Sequence, residues 1–66
     1  MPNINVEGPT IKDIEKKKIL VREITDAATK AYGLPRETIV VLIKENPPEN
    51  VGVGGKLLID RIQTEK

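Results

Sequence analysis

The segment Thr38-Ile39-Val40-Val41-Leu42-Ile43 does most to limit what this chain can become. After Thr38 it is continuously apolar, and nearly every residue is β-branched. A strand of this kind is buried on both faces, as in a sheet covered above and below. One helix covers only one face. The chain has 66 residues, and once a helix is assigned no segment remains for a second layer. The other face must then be covered by other chains.

Length points the same way. A single domain of this size, residues 1–66, buries only about 60% of the surface its unfolded form exposes. Small domains are commonly stapled by disulfides, a metal or partner chains. Cysteine and histidine are both absent, so no disulfide, thiolate site or imidazole ligand is available. By elimination the staple is oligomerisation. Serine is absent as well, which excludes serine and cysteine nucleophile triads.

Charge and aromatic content exclude further classes. Eleven basic residues against ten acidic give a net charge of +1, not the clustered basic excess of a nucleic-acid binder. Tyr32 is the sole aromatic residue, so no base-stacking platform exists. No apolar run approaches the roughly 18 residues of a membrane span. The N-terminus lacks the basic and apolar regions of a secretory signal. The expectation is a cytoplasmic protein with neither a nucleic-acid nor a membrane partner.

Pro2 to Glu7 alternates strictly, with Pro2, Ile4 and Val6 on one side and Asn3, Asn5 and Glu7 on the other. That is a half-buried strand, and Gly8-Pro9 ends it. Thr10, with Asp13 three residues on, reads as the N-cap of a long helix from Ile11 to Tyr32. Its apolar stripe runs Ile14, Val21, Ile24, Ala28 and Ala31, widened by Leu20 and Ala27. Lys16-Lys17-Lys18 reads as a solvated face, with Lys17 lying over the stripe. Asp13–Lys17 and Asp26–Lys30 are spaced as supporting i,i+4 pairs. Gly33 and Pro35 stop the helix.

The apolar strand follows, then a stiff loop from Glu45 to Asn50 with two prolines. Val51 to Gly55 reads as a short strand or tight hairpin, Leu57-Leu58-Ile59 as a second apolar piece, and Gln63 to Lys66 as a frayed tail. Two strands joined through so long a helix pair in parallel. Gly52-Val53-Gly54-Gly55-Lys56 is not a phosphate loop: the upstream glycine and the Ser or Thr after the lysine are missing, and no helical pattern follows.

One group remains for chemistry. A small residue after Met1 is the type from which the methionine is ordinarily removed, and Pro2 then becomes a free secondary amine. An α-amino group titrates near ~7.7–8.0, and burial beside Ile and Val lowers that. A base near neutrality suits proton abstraction next to a carbonyl.

With Met1-Pro2, the Ile4-Asn5-Val6 strand, the helix through Arg22-Glu23, the Val40 to Glu45 strand and the Gly52-Val53-Gly54-Gly55 hairpin, the chain resembles the 4-oxalocrotonate tautomerase family. The resemblance runs without gaps from Pro2 to about Leu57. It implies an α+β tautomerase fold: a parallel strand pair, one long crossover helix and a short C-terminal hairpin, completed by oligomerisation, mostly as a hexamer built as a trimer of dimers. It implies a cofactor-independent enzyme for a small-molecule substrate, a 2-hydroxydienoate such as 2-hydroxymuconate, with Pro2 as general base and no metal.

The resemblance also assigns positions. Lys12 falls where the family has an arginine that binds the substrate carboxylate. Val40 falls where members have a second arginine that polarises the 2-hydroxy/oxo end, so that electrophile is missing. Val51 falls where they have a phenylalanine in the apolar wall. Pro9 cannot donate a backbone hydrogen bond, which leaves Gly8, Thr10 or Ile11 as donors there. Arg36, Lys44 or Arg61 are candidates for the missing cation. Two alternatives stay open: Pro2-dependent hydration or dehalogenation of an unsaturated acid, and a non-catalytic oligomeric module with the same fold.

Overall fold

The computed structural model of the chain describes residues 1–64. Strand β1, Asn3–Gly8, half-buries every second residue, as its alternation requires. Helix α1, Ile14–Tyr32, follows and leads to strand β2, Val40–Glu45. The strands pair in parallel, in step from Asn3 with Val40 to Gly8 with Glu45. A small antiparallel hairpin, β3 Gly52–Val53 and β4 Lys56–Leu57, leads into helix α2, Leu58–Thr64.

The register sorts the side chains. Ile4 and Val6 share a face with Val41 and Ile43, and α1 lies over it. Val40 and Leu42 lie on the opposite face with Asn3 and Asn5. There Leu42 is 49% exposed. Among the described residues only Ala28 and Thr25 are buried. The Cα trace spans 47 × 24 × 13 Å, with a radius of gyration of 15.7 Å. A compact chain of this length would measure about 11 Å. The chain is an open plate, one helix on one two-stranded sheet, with its second sheet face uncovered.

Helix α1 starts three residues later than the sequence predicts. Asp13, not Thr10, is its N-cap: the Asp13 carboxylate accepts the Glu15 N–H at 2.9 Å. Aspartate caps at least as well as threonine, and the Ile11 N–H is engaged by Glu45 at 2.8 Å, which ties this segment to the strand end. Gly33 closes the helix as predicted, at φ 68°, with its N–H on the Thr29 carbonyl at 2.8 Å. The buried stripe is rotated from the predicted one. Leu20, Val21, Ile24, Thr25 and Ala28 turn inward, while Ile14, Ala27 and Ala31 are exposed. Thr25 can be buried because its hydroxyl donates to the Val21 carbonyl at 2.7 Å.

The helix charges also pair differently. Lys17 reaches Glu45 at 2.9 Å rather than Asp13, and Lys18 meets Glu15 at 3.3 Å. Asp26 binds Arg36 rather than Lys30. A contact that closes the tertiary structure outranks a solvated i,i+4 pair, which is worth only about 0.3–0.5 kcal/mol.

β2 begins at Val40 rather than Thr38. Arg36–Thr38 forms one tight turn, in which the Pro35 carbonyl accepts both the N–H and the hydroxyl of Thr38. The strand then extends to Glu45, as the family resemblance implies, although the residue pattern alone put Glu45 in the loop. In the hairpin Gly54 and Gly55 have φ 62° and 85°, the positive values that a two-residue hairpin turn requires. Helix α2 corrects the expectation that no helix follows Leu57 and that a frayed tail starts at Gln63. Its first N–H, from Leu58, is held by the Val51 carbonyl at 2.7 Å. Residues 65 and 66 of the expected tail lie outside the described residues. Among the described residues no helix is long and apolar enough to cross a membrane.

Candidate active site

Pro2 stands at the head of β1, half-buried. Its carbonyl accepts the Val40 N–H at 3.0 Å, so the first residue of β2 fixes it. The attached Met1 projects into solvent, 84% exposed. Nothing in the pairing of Pro2 depends on Met1. Val40 is therefore the immediate strand neighbour of Pro2, and both lie at the end where the two parallel strands begin.

Lys12 and Val51 lie at the other end. β1 carries the chain forward about 20 Å from Pro2, at about 3.3 Å per residue, before the segment holding Lys12 is reached. Val51 follows the tight turn Pro48–Asn50 beyond the end of β2. Its N–H bonds the Pro48 carbonyl at 3.3 Å, and its carbonyl holds Leu58. Lys12 is exposed and Val51 half-buried. Of the four residues singled out in the sequence, one chain brings together Pro2 and Val40. It does not bring Lys12 or Val51 to them.

Between the two ends of the sheet, beside α1, is a groove of about 450 Å³. Its lining combines Ile14, Val21, Thr25 and Ile43 with Lys17, Lys18, Arg22 and Arg36. None of the four residues singled out lines it. Arg36, one candidate for the missing cation, is turned along this side to Asp26 and away from Val40. Lys44 is in register with Glu7 at the far end of the strands, and Arg61 lies on α2.

The residue that sequence reasoning missed is Glu45. Its Oε2 accepts the Ile11 N–H at 2.8 Å and the Lys17 ammonium at 2.9 Å. The Lys17 hydrogen bond, then the Ile11 N–H, hold its carboxyl below the ordinary value of 4.5, and partial desolvation opposes them. Of the three backbone donors considered there, Gly8, Thr10 and Ile11, the Ile11 N–H is thus already engaged. The signal was present: continuing the alternation of Val41 and Ile43 by one step places Glu45 under α1, where the half-buried Lys17 lies. Next to it, Asn46 donates its backbone N–H to the Gly8 carbonyl at 2.8 Å and its side-chain Nδ2 to Glu7 at 3.0 Å. Among the described residues no group of acidic side chains could hold a metal ion.

Comparison with known proteins identifies the family and the fold. Residues 2–61 match the family model described as tautomerase enzyme. A probable tautomerase of Bacillus cereus is 38% identical over 61 residues, covering 92% of this chain and 100% of its own. The crystal structure of DmpI from Archaeoglobus fulgidus superposes with a TM-score of 0.77 at 47% identity, over 89% of this chain and 100% of that one. A chain of a heterohexamer 4-oxalocrotonate tautomerase from Chloroflexus aurantiacus superposes with a TM-score of 0.78 at 27% identity, over 91% and 97%.

Proposed function

The chain belongs to the tautomerase family, and from that premise we propose that it is a cofactor-independent keto–enol tautomerase acting on a 2-hydroxydienoate such as 2-hydroxymuconate. The reaction moves one proton from oxygen to carbon, so atoms and charge balance without any cofactor. Once Met1 is removed, the Pro2 nitrogen is a neutral secondary amine. It takes the enol proton, the electron pair shifts along the conjugated chain, and the protonated amine returns the proton to a distant carbon. Lys12 meets the substrate carboxylate as a point charge, without the bidentate fork of an arginine. Val51 contributes to an apolar wall that disfavours the charged amine. Val40 beside Pro2 leaves the 2-hydroxy end without a cation.

The observation that carries this reading is the placement of Pro2. The family match begins at that residue, and its carbonyl is fixed by Val40 while its nitrogen side is linked only to an exposed methionine. The separation of Pro2 from Lys12 and Val51 supports a homo-oligomer whose sites combine the two ends from different chains. The uncovered sheet face and the extended shape support the same assembly, which we take to be a hexamer built as a trimer of dimers. The compartment consistent with this chemistry is the cytoplasm.

The test is ultraviolet-monitored ketonisation of 2-hydroxymuconate by Met1-free protein. Pro2→Ala is expected to lower kcat on the order of 10²–10⁴-fold, the range for a positioned general base. Equal rates in the two proteins would overturn the assignment.

A further inference from the structure

We propose that Glu45 is a positioning residue for the substrate carboxylate, acting through the Ile11 N–H to fix Lys12; this rests on the role given to Lys12 above. Three parts of the chain meet at this one carboxylate. Glu45 ends β2 opposite Gly8, Lys17 reaches it from the first turns of α1, and Ile11 reaches it from the segment between β1 and α1. Both side chains of the ion pair are 26% exposed, so the pair is partly shielded from water. The segment from Pro9 to Asp13 adds no strand pairing of its own, and Pro9 has no N–H to offer. The Ile11 N–H bond spans 34 positions of sequence and ties this segment directly to the sheet. Lys12 is the next residue, its Cα one peptide step of about 3.8 Å away. Its ammonium is exposed, whereas its backbone follows from a bond made by its neighbour. A flexible lysine stem delivers its charge only as accurately as its backbone is placed.

The arrangement predicts a specific kinetic pattern. Glu45→Ala removes the acceptor, frees the segment and raises KM for 2-hydroxymuconate about tenfold, with kcat within about twofold. Glu45→Gln keeps an acceptor for the Ile11 N–H and recovers most of that loss. Lys17→Met weakens the carboxylate's anchoring only in part and raises KM about threefold. In a Lys12→Ala background none of the three substitutions changes KM further, because the residue being positioned is gone. Hydrogen exchange of the Ile11 amide speeds up in Glu45→Ala and stays slow in Glu45→Gln. A residue needed only for stability would give neither the recovery nor the non-additivity.

Binding of cis,cis-muconate, which has no enol proton to move, separates this proposal from the proposed function. If 2-hydroxymuconate is not turned over, but muconate binds more weakly by the same factor in Glu45→Ala, Lys12→Ala and the double variant, the positioning role stands and the tautomerase reading falls. Muconate affinity and KM unchanged in Glu45→Ala would overturn the positioning role. So would effects that add fully to those of Lys12→Ala, or muconate that binds none of the proteins. Should Glu45→Ala fail to fold, the Lys17→Met pattern decides, alone and with Lys12→Ala.

Discussion

The two ends of the parallel strand pair are built on different principles. Where the strands begin, Pro2 is fixed by one main-chain bond to Val40, and the side chains there are uncharged. The nearby guanidinium of Arg36 is drawn off to Asp26 on the helix side. Where the strands end, Glu45 gathers Ile11 and Lys17, and Asn46 gathers Gly8 and Glu7. The charged end closes on itself within one chain. The apolar end is left for something else to complete. Polar side chains in low dielectric are costly unless matched, so a neutral amine is best kept where few of them compete.

Blocking the Pro2 nitrogen tests that contrast most severely. Protein that retains Met1 should keep the fold and lose as much rate as Pro2→Ala, on the order of 10²-fold or more in kcat. Mass spectrometry of the N-terminus, run beside the rate assay, checks this. A smaller effect of opposite sign is expected from Val40→Arg. A guanidinium beside Pro2 makes the apolar end resemble its opposite, and should raise kcat/KM for 2-hydroxymuconate on the order of tenfold. The gain should vanish for a substrate lacking the 2-oxygen.

The two helix ends carry the same contrast into stability. Gly33 closes α1 at the apolar end with φ 68°. Gly33→Ala forces a Cβ into the left-handed region and should lower unfolding free energy by about 1–2 kcal/mol in urea titrations. At the charged end Asp13→Ala removes one side-chain cap and should cost about 1 kcal/mol. Neither should move kcat.

Smallest is the acid limb of the stability curve. The Glu45 carboxyl titrates below its ordinary 4.5 when folded, so the unfolded chain binds the extra proton. Its stabilisation is complete above that ordinary value and is lost as pH falls through the folded value. Glu45→Gln should flatten the pH dependence of the midpoint in that acid window and leave its shape at pH 7 unchanged.

Much of this was legible because local and tertiary demands agree. The alternation of Pro2 to Glu7, the stop at Gly33 and the Gly54-Gly55 turn each have a single cheap solution in backbone geometry. The naked face of β2 follows from counting segments. Where two local solutions were nearly equal, only tertiary structure chose. Thr10 and Asp13 both cap well, and the Ile11 bond to Glu45 accompanies the choice of the second. Lys17 had a partner four residues back and found a better one 28 positions later. Seven residues make barely two turns, shorter than the window in which helical periodicity can be recognised, so α2 could not be read before Val51 was seen to hold its first N–H. In the candidate site, the closeness of Pro2 and Val40 follows from parallel pairing. The distance from them to Lys12 and Val51 needed the length of β1 laid out in space.

That distance has a consequence for inheritance. In an assembly where each site takes Pro2 from one chain and Lys12 from another, damage to either residue is no longer the property of a single copy. Two defective forms, Pro2→Ala and Lys12→Ala, each silent when expressed alone, would restore a fraction of whole sites when co-expressed. Equally, a damaged copy spoils sites in its healthy neighbours, so such lesions behave as partly dominant.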